Sequence, residues 1–159
     1  MSEKTLSVSA IMEGSVIDHI AVGSALKIIS LLKLTDQERR VTVGLNLKSQ
    51  SMGLKDLIKV ENFFISSTQA AQIAIFAPRA TVNVIENYKL VKKFKVQMPE
   101  AVHSILLCPN LRCITRSEPV PSLFTVEEHK GAVILRCRFC EKIFSRDEVR
   151  EKPHNLCPH

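Results

Sequence analysis

The chain has 159 residues, of which 45% are hydrophobic and 24% charged, with no Trp and a single Tyr. Such a composition excludes a disordered or low-complexity chain and allows one ordinary domain or two small ones. The net charge of +6 is uneven, with 13 Lys and Arg against 9 Asp and Glu in residues 1–100 and 9 against 7 in residues 101–159; an anionic ligand suits the first half, but the excess is weak ground for nucleic-acid binding.

Leu6, Val8 and Ala10 alternate as a strand does. Val16-Ile17-Asp18-His19-Ile20 sets two polar side chains in an apolar stretch, which by itself reads as a turn and a helix cap. Val22, Ala25, Leu26, Ile29 and Leu32 follow helical spacing and predict an amphipathic helix over 21–33. Arg40 to Leu47 is β-rich, Ser49 to Gly53 is a turn, and Asp56 to Phe64 is a second strand. Ser66 with Gln69 three residues on is a capping box, opening a helix that Pro78 stops near Phe76. Strands follow at Thr81–Glu86 and Tyr88–Val96, with Asn87 at the turn.

The order β-α-β-β-α-β with one further strand matches the split βαβ, ferredoxin-like plan. The expected fold class is therefore α+β: a ferredoxin-like N-terminal domain over 1–98 and a small β-rich, zinc-ribbon-like C-terminal domain over 99–159. Met98-Pro99-Glu100 reads as the hinge. In the second part, Ser104–Leu107, Leu123–Val126 and Ala132–Leu135 read as strands, Glu141–Arg150 as a strand turning into a short helix, and the tail from about 151 as mobile.

All five cysteines lie after residue 107. Cys108-Pro-Asn-Leu-Arg-Cys113 and Cys137-Arg-Phe-Cys140 are two short pairs, each able to wrap a tight turn with both sulfurs on one ion. Four thiolates fill a tetrahedral Zn2+ shell and leave no place for water, so such a metal is structural. Binding contributes roughly 10–16 kcal/mol in small zinc domains, most of it folding energy. Cys157, with His154 and His159, falls in the tail and reads as bland. Acidic residues interleave with the basic ones in this half, against a nucleic-acid platform and in favour of a protein-docking surface. A zinc-ribbon nucleic-acid binder stands as the rival reading; no nucleophile–base pair argues for an enzyme.

No apolar run approaches the ~18 residues of a membrane span. Met1 to Ile11 lacks the apolar core of a secretory signal, and clustered cysteines read as metal ligands before disulfides, so a soluble, cytoplasmic chain is expected. In the first half Lys55, Lys59, Lys89, Lys92, Lys93 and Lys95 supply cations for phosphates, and there is no Gly-rich phosphate loop.

Gly14-Ser-Val-Ile-Asp-His-Ile20, Val43-Gly-Leu-Asn-Leu47, Met52-Gly-Leu-Lys-Asp-Leu-Ile-Lys59, Ala77-Pro-Arg-Ala-Thr-Val-Asn83 and the two cysteine motifs occur in this order. From about Leu6 to Val149 the sequence closely resembles the regulatory chains of aspartate carbamoyltransferase. The resemblance implies a non-catalytic regulatory subunit in pyrimidine biosynthesis, with an allosteric domain that pairs in a homodimer and binds CTP or ATP. UTP and Mg2+ can join them. It also implies a zinc domain that docks on the trimers of catalytic chains through Asn110, Glu141 and Lys142. The nucleotide positions it implies are Val8, Ala10, Ile11, Asp18, His19, Lys59, Asn83, Ile85, Tyr88, Leu90 and Lys93, and the metal ligands are Cys108, Cys113, Cys137 and Cys140. Of these, Lys93 and His19 would meet phosphates and Asp18 and Lys59 ribose, while backbone near Ala10, Ile11, Tyr88 and Leu90 would read the base. Ser9 stands where an acidic side chain is expected beside the base, and His129 where an Arg is expected at the catalytic interface.

Overall fold

A computed structural model describes residues 10–152, which divide into two compact units, one ending at Gln97 and the other beginning at Met98. The first unit contains β1 (Gly14–Ile20), α1 (Ala25–Leu32), β2 (Val41–Ser49), β3 (Gly53–Glu61), α2 (Ser67–Phe76), β4 (Thr81–Glu86) and β5 (Lys89–Lys95). Its five strands form one antiparallel sheet in the order β2-β3-β1-β4-β5. Removing β5 leaves the ferredoxin-like order, in which each helix crosses between strands that are not hydrogen-bonded to each other. The core lies where Ile17, Ile58, Val60 and Val82, all fully buried on one face of the sheet, meet Ala25 and Ile28 of α1 and Ile73 and Ala74 of α2.

Local chemistry sets the helix ends. The Ser66 hydroxyl accepts from the Gln69 amide at 3.2 Å and the Ser66 amide donates to Gln69 Oε1 at 3.0 Å, so the capping box forms in full. Ala77, which precedes Pro78, leaves the helical region, and its amide still closes on the Ile73 carbonyl at 2.8 Å.

Three sequence expectations change here. The Asp18–His19 pair belongs to strand β1, not to a turn and helix cap. The predicted first strand falls partly outside the described residues, and its end at Ala10 is not in a strand. α1 starts at Ala25 rather than 21, and its buried face is Ala25, Ile28, Leu31 and Leu32, while Leu26 within it and Val22 before it are exposed.

The second unit contains β6 (Ala101–His103), β7 (Leu106–Leu107), α3 (Ile114–Ser117), β8 (Leu123–His129), β9 (Ala132–Cys137), β10 (Ile143–Ser145) and β11 (Arg150–Glu151). A four-stranded sheet, β10-β9-β8-β6, and a two-stranded one, β11-β7, surround a small core of Val102, Leu106, Phe124, Val133, Leu135 and Val149. No helix forms between Glu141 and Arg150; β10 leads through a turn, where the Ser145 amide donates to the Glu148 carboxylate at 2.7 Å. Residues 151 and 152, expected in the tail, are anchored: Glu151 pairs with Leu106, and the Lys152 amide donates to the Ile105 carbonyl at 2.8 Å. His154, Cys157 and His159 lie outside the described residues.

Candidate functional site

Val16 in the central strand β1 lies opposite Lys59 of β3 and Asn83 of β4, and Asn83 lies opposite Lys93 of β5. Directly opposed residues of an antiparallel sheet share a face. Lys59, Val16, Asn83 and Lys93 therefore make one transverse row, on the face opposite the helix-covered side chains of Ser15, Ile17, Ile58 and Val82. Asp18 stands two residues further along β1, opposite Thr81, and Ile85 stands two residues further along β4, opposite Gly14. Five of the eleven nucleotide positions expected from the sequence thus meet on a single surface.

Charge is organised around Asp18. Lys55 Nζ is 2.9 Å from its Oδ1, and both side chains are mostly covered. Burial pushes the Asp18 carboxyl up, but hydrogen bonds from Lys55 and from the His19 amide, with the nearby positive charge, outweigh it and leave the group below its usual range. Lys59 is drawn below the ordinary lysine range by burial, which the Asp18 charge only partly offsets. Asn83 Oδ1 is buried and has no hydrogen-bond partner among the described residues. An orphaned buried amide oxygen has room for a donor from outside the described residues.

His19 sits at a break in the β1–β3 register, with φ 57°. This irregularity turns its ring to Thr81, with Nδ1 3.1 Å from the Thr81 hydroxyl. Tyr88 and Leu90 lie near the β4–β5 turn, where Asn87 and Tyr88 both have positive φ, as a two-residue hairpin turn requires. The Tyr88 amide donates to the Met12 carbonyl at 3.0 Å, joining this turn to the segment that holds Ala10 and Ile11. Ala10 is exposed and Ile11 buried; Val8 lies outside the described residues. Thr81 was missed as a site residue, and Lys55, expected among the cations for phosphates but not among the eleven nucleotide positions, pairs with Asp18. For Lys55 a signal existed, since it is an even number of residues from Lys59 on one strand and so shares its face.

In the second unit the sulfurs of Cys108, Cys113, Cys137 and Cys140 all lie within 4.8 Å of one another. The pairs Cys108–Cys140 and Cys113–Cys137 are 3.7 Å apart, joining one short motif to the other. A tetrahedron of thiolates about 2.3 Å from a metal ion has an edge of about 3.8 Å, so the donor set fits a closed four-sulfur metal site. Burial raises the Cys108 and Cys137 thiols above their usual range. Cys140, opposed by burial but served by the Asn110 side chain and the Lys142 amide, is brought down to about 7. A bound dication removes the penalty that burial puts on these thiolates.

Two family models cover the chain. Residues 6–97 match the allosteric domain of the aspartate carbamoyltransferase regulatory chain, and residues 100–150 its metal binding domain. The chain belongs to the aspartate carbamoyltransferase regulatory chain family. It is 50% identical to the regulatory chain of Aeromonas salmonicida over 153 residues, which are 96% of this chain and 99% of that one. Against the regulatory chain of Chromobacterium violaceum identity is 52% over 147 residues, covering 92% and 97%, and against that of Edwardsiella ictaluri it is 51% over 150 residues, covering 94% and 98%. The family names a regulatory subunit, not the catalytic one; its allosteric domain matches the first unit, and its metal binding domain the unit that holds the four clustered cysteines. No helix among the described residues is long and apolar enough to cross a membrane.

Proposed function

We propose that this cytoplasmic chain binds CTP and ATP on the open sheet face of its first unit, and passes their effect to aspartate carbamoyltransferase catalytic trimers through a second unit held by one structural Zn2+. The observation that carries the effector reading is the orphaned Asn83 Oδ1 in the row with Lys59 and Lys93, beside Asp18. A nucleotide supplies what that surface lacks: hydroxyl and amino donors for the amide and carboxylate oxygens, and phosphates for the lysines. Lys93 and His19 meet the phosphates, Asp18 and Lys59 the ribose, and backbone around Ala10, Ile11, Tyr88 and Leu90 the base, with Val8 on the same ligand. UTP and Mg2+ act as further ligands there.

The docking reading is supported by Leu111, Ile114, Phe139 and Ile143. These are large exposed apolar side chains, each within three residues of a cysteine ligand. Asn110, Glu141 and Lys142 would join them against the catalytic chain, and the first units would pair as a homodimer. A coupling of about 1–3 kcal/mol between effector and catalytic states suffices for a typical response.

The test is aspartate saturation of the matching catalytic trimer, with and without this chain and with and without CTP. A curve shifted by CTP only when the chain is present supports both halves of the proposal. Assembly without a CTP effect keeps docking and overturns the effector reading. A chain that never joins the trimer overturns docking and directs attention to nucleic-acid binding. In calorimetry Lys93→Ala should weaken CTP and ATP alike, since both present triphosphates; unchanged affinity for both would remove its role.

A further inference from the structure

Besides its four sulfurs, the cysteine centre has a hydroxyl beside one of them. Thr115 is buried, and its hydroxyl lies 3.1 Å from Cys113 Sγ, which is buried as well. A thiolate has no proton, so with metal bound the hydroxyl is the donor.

We infer that Thr115 is a positioning residue of the metal centre, holding the thiolate of Cys113 by a hydrogen bond and slowing metal release. This rests on the proposal that the four cysteines bind Zn2+.

Four thiolates around a dication carry a net charge of −2. A hydrogen bond to sulfur withdraws some of that charge and fixes the direction of a lone pair. Thr115 acts where Cys113 precedes the short helix α3 and its sulfur makes no cap to that helix.

The experiment uses the full chain loaded with Zn2+, and follows metal transfer to a chromophoric chelator. A parallel Co2+-loaded sample reports the sulfur-to-metal charge-transfer band. Thr115→Val should release metal about 10–100-fold faster than the parent. Its Co2+ charge-transfer band should shift to lower energy, because a sulfur that loses a hydrogen bond gives up charge more readily. Thr115→Ser retains the hydroxyl and should restore both the slow release and the band position. Parent-like release and spectra in Thr115→Val would overturn the inference, as would Thr115→Ser behaving like Thr115→Val. A parent chain that holds no Zn2+ after loading would instead overturn the metal reading beneath it.

Discussion

Replacing Asp18 by Asn preserves shape and removes one charge. In the parent, Lys55 Nζ is 2.9 Å from Asp18 Oδ1, with side chains 19% and 18% exposed. At that exposure the pair is neither a solvated surface bridge, worth about 0–1 kcal/mol, nor a fully desolvated one. A hydrogen bond to a charged group is worth about 1.5–3 kcal/mol, and this is the range expected for the coupling between Asp18 and Lys55. The assay is a double-mutant cycle of Asp18→Asn and Lys55→Met by urea unfolding, with the metal kept bound throughout. The pH dependence follows from the depressed Asp18 carboxyl. Its contribution is complete above the ordinary carboxylate value of about 3.9, and is lost as pH falls through the folded value. The parent-minus-Asp18→Asn difference should thus be flat at neutral pH and decline only in acid, with metal loss cancelling between the two proteins. Lys59, drawn down by burial and held up by Asp18, should titrate lower still in the variant. A coupling below about 0.5 kcal/mol, within the usual scatter of additivity, would refute this account of the site's electrostatics.

Gly14→Ala should be among the most damaging single changes. A Cβ there would lie 2.0 Å from the Val60 carbonyl oxygen at a φ of +141°, so β1 and β3 must part, at a cost above about 3 kcal/mol measurable by denaturant unfolding. Ser15→Ala removes a hydroxyl that donates to the Phe63 carbonyl at 2.8 Å and accepts from the Ile65 amide at 3.1 Å; a loss of about 2–4 kcal/mol in the same measurement is expected from the two stranded backbone groups. Ser66→Ala opens the capping box and should cost about 0.5–2 kcal/mol, with little effect on nucleotide affinity by calorimetry. Stripping the metal with a chelator should unfold the second unit, since roughly 10–16 kcal/mol of metal binding matches the whole stability of an ordinary domain; unchanged circular dichroism and proteolysis of that unit would contradict it.

Features decided within a few residues were legible before any fold was known. The Ser66–Gln69 box, the stop at Pro78, the turn at Asn87 and the two cysteine motifs each depend on chemistry within one turn of chain. The resemblance carried the family and the names of the site residues. It did not show why Lys59, Asn83 and Lys93, spread over 35 positions of sequence, stand in one row. That row exists because β3, β1, β4 and β5 pair in that order, and because the register is fixed at Val16. A slip of one residue would send any of the three into the helix-covered face. Periodicity along a strand tells which residues share a face, but not which strand lies beside it. The register breaks, at His19 and between Val84 and Ile85, lie beyond this row, so the row itself is held by regular pairing. Likewise the spacing of the cysteines indicated a metal, whereas only packing brings one motif to the other, Cys108 to Cys140 and Cys113 to Cys137, because these partners lie 32 and 24 residues apart and meet through space.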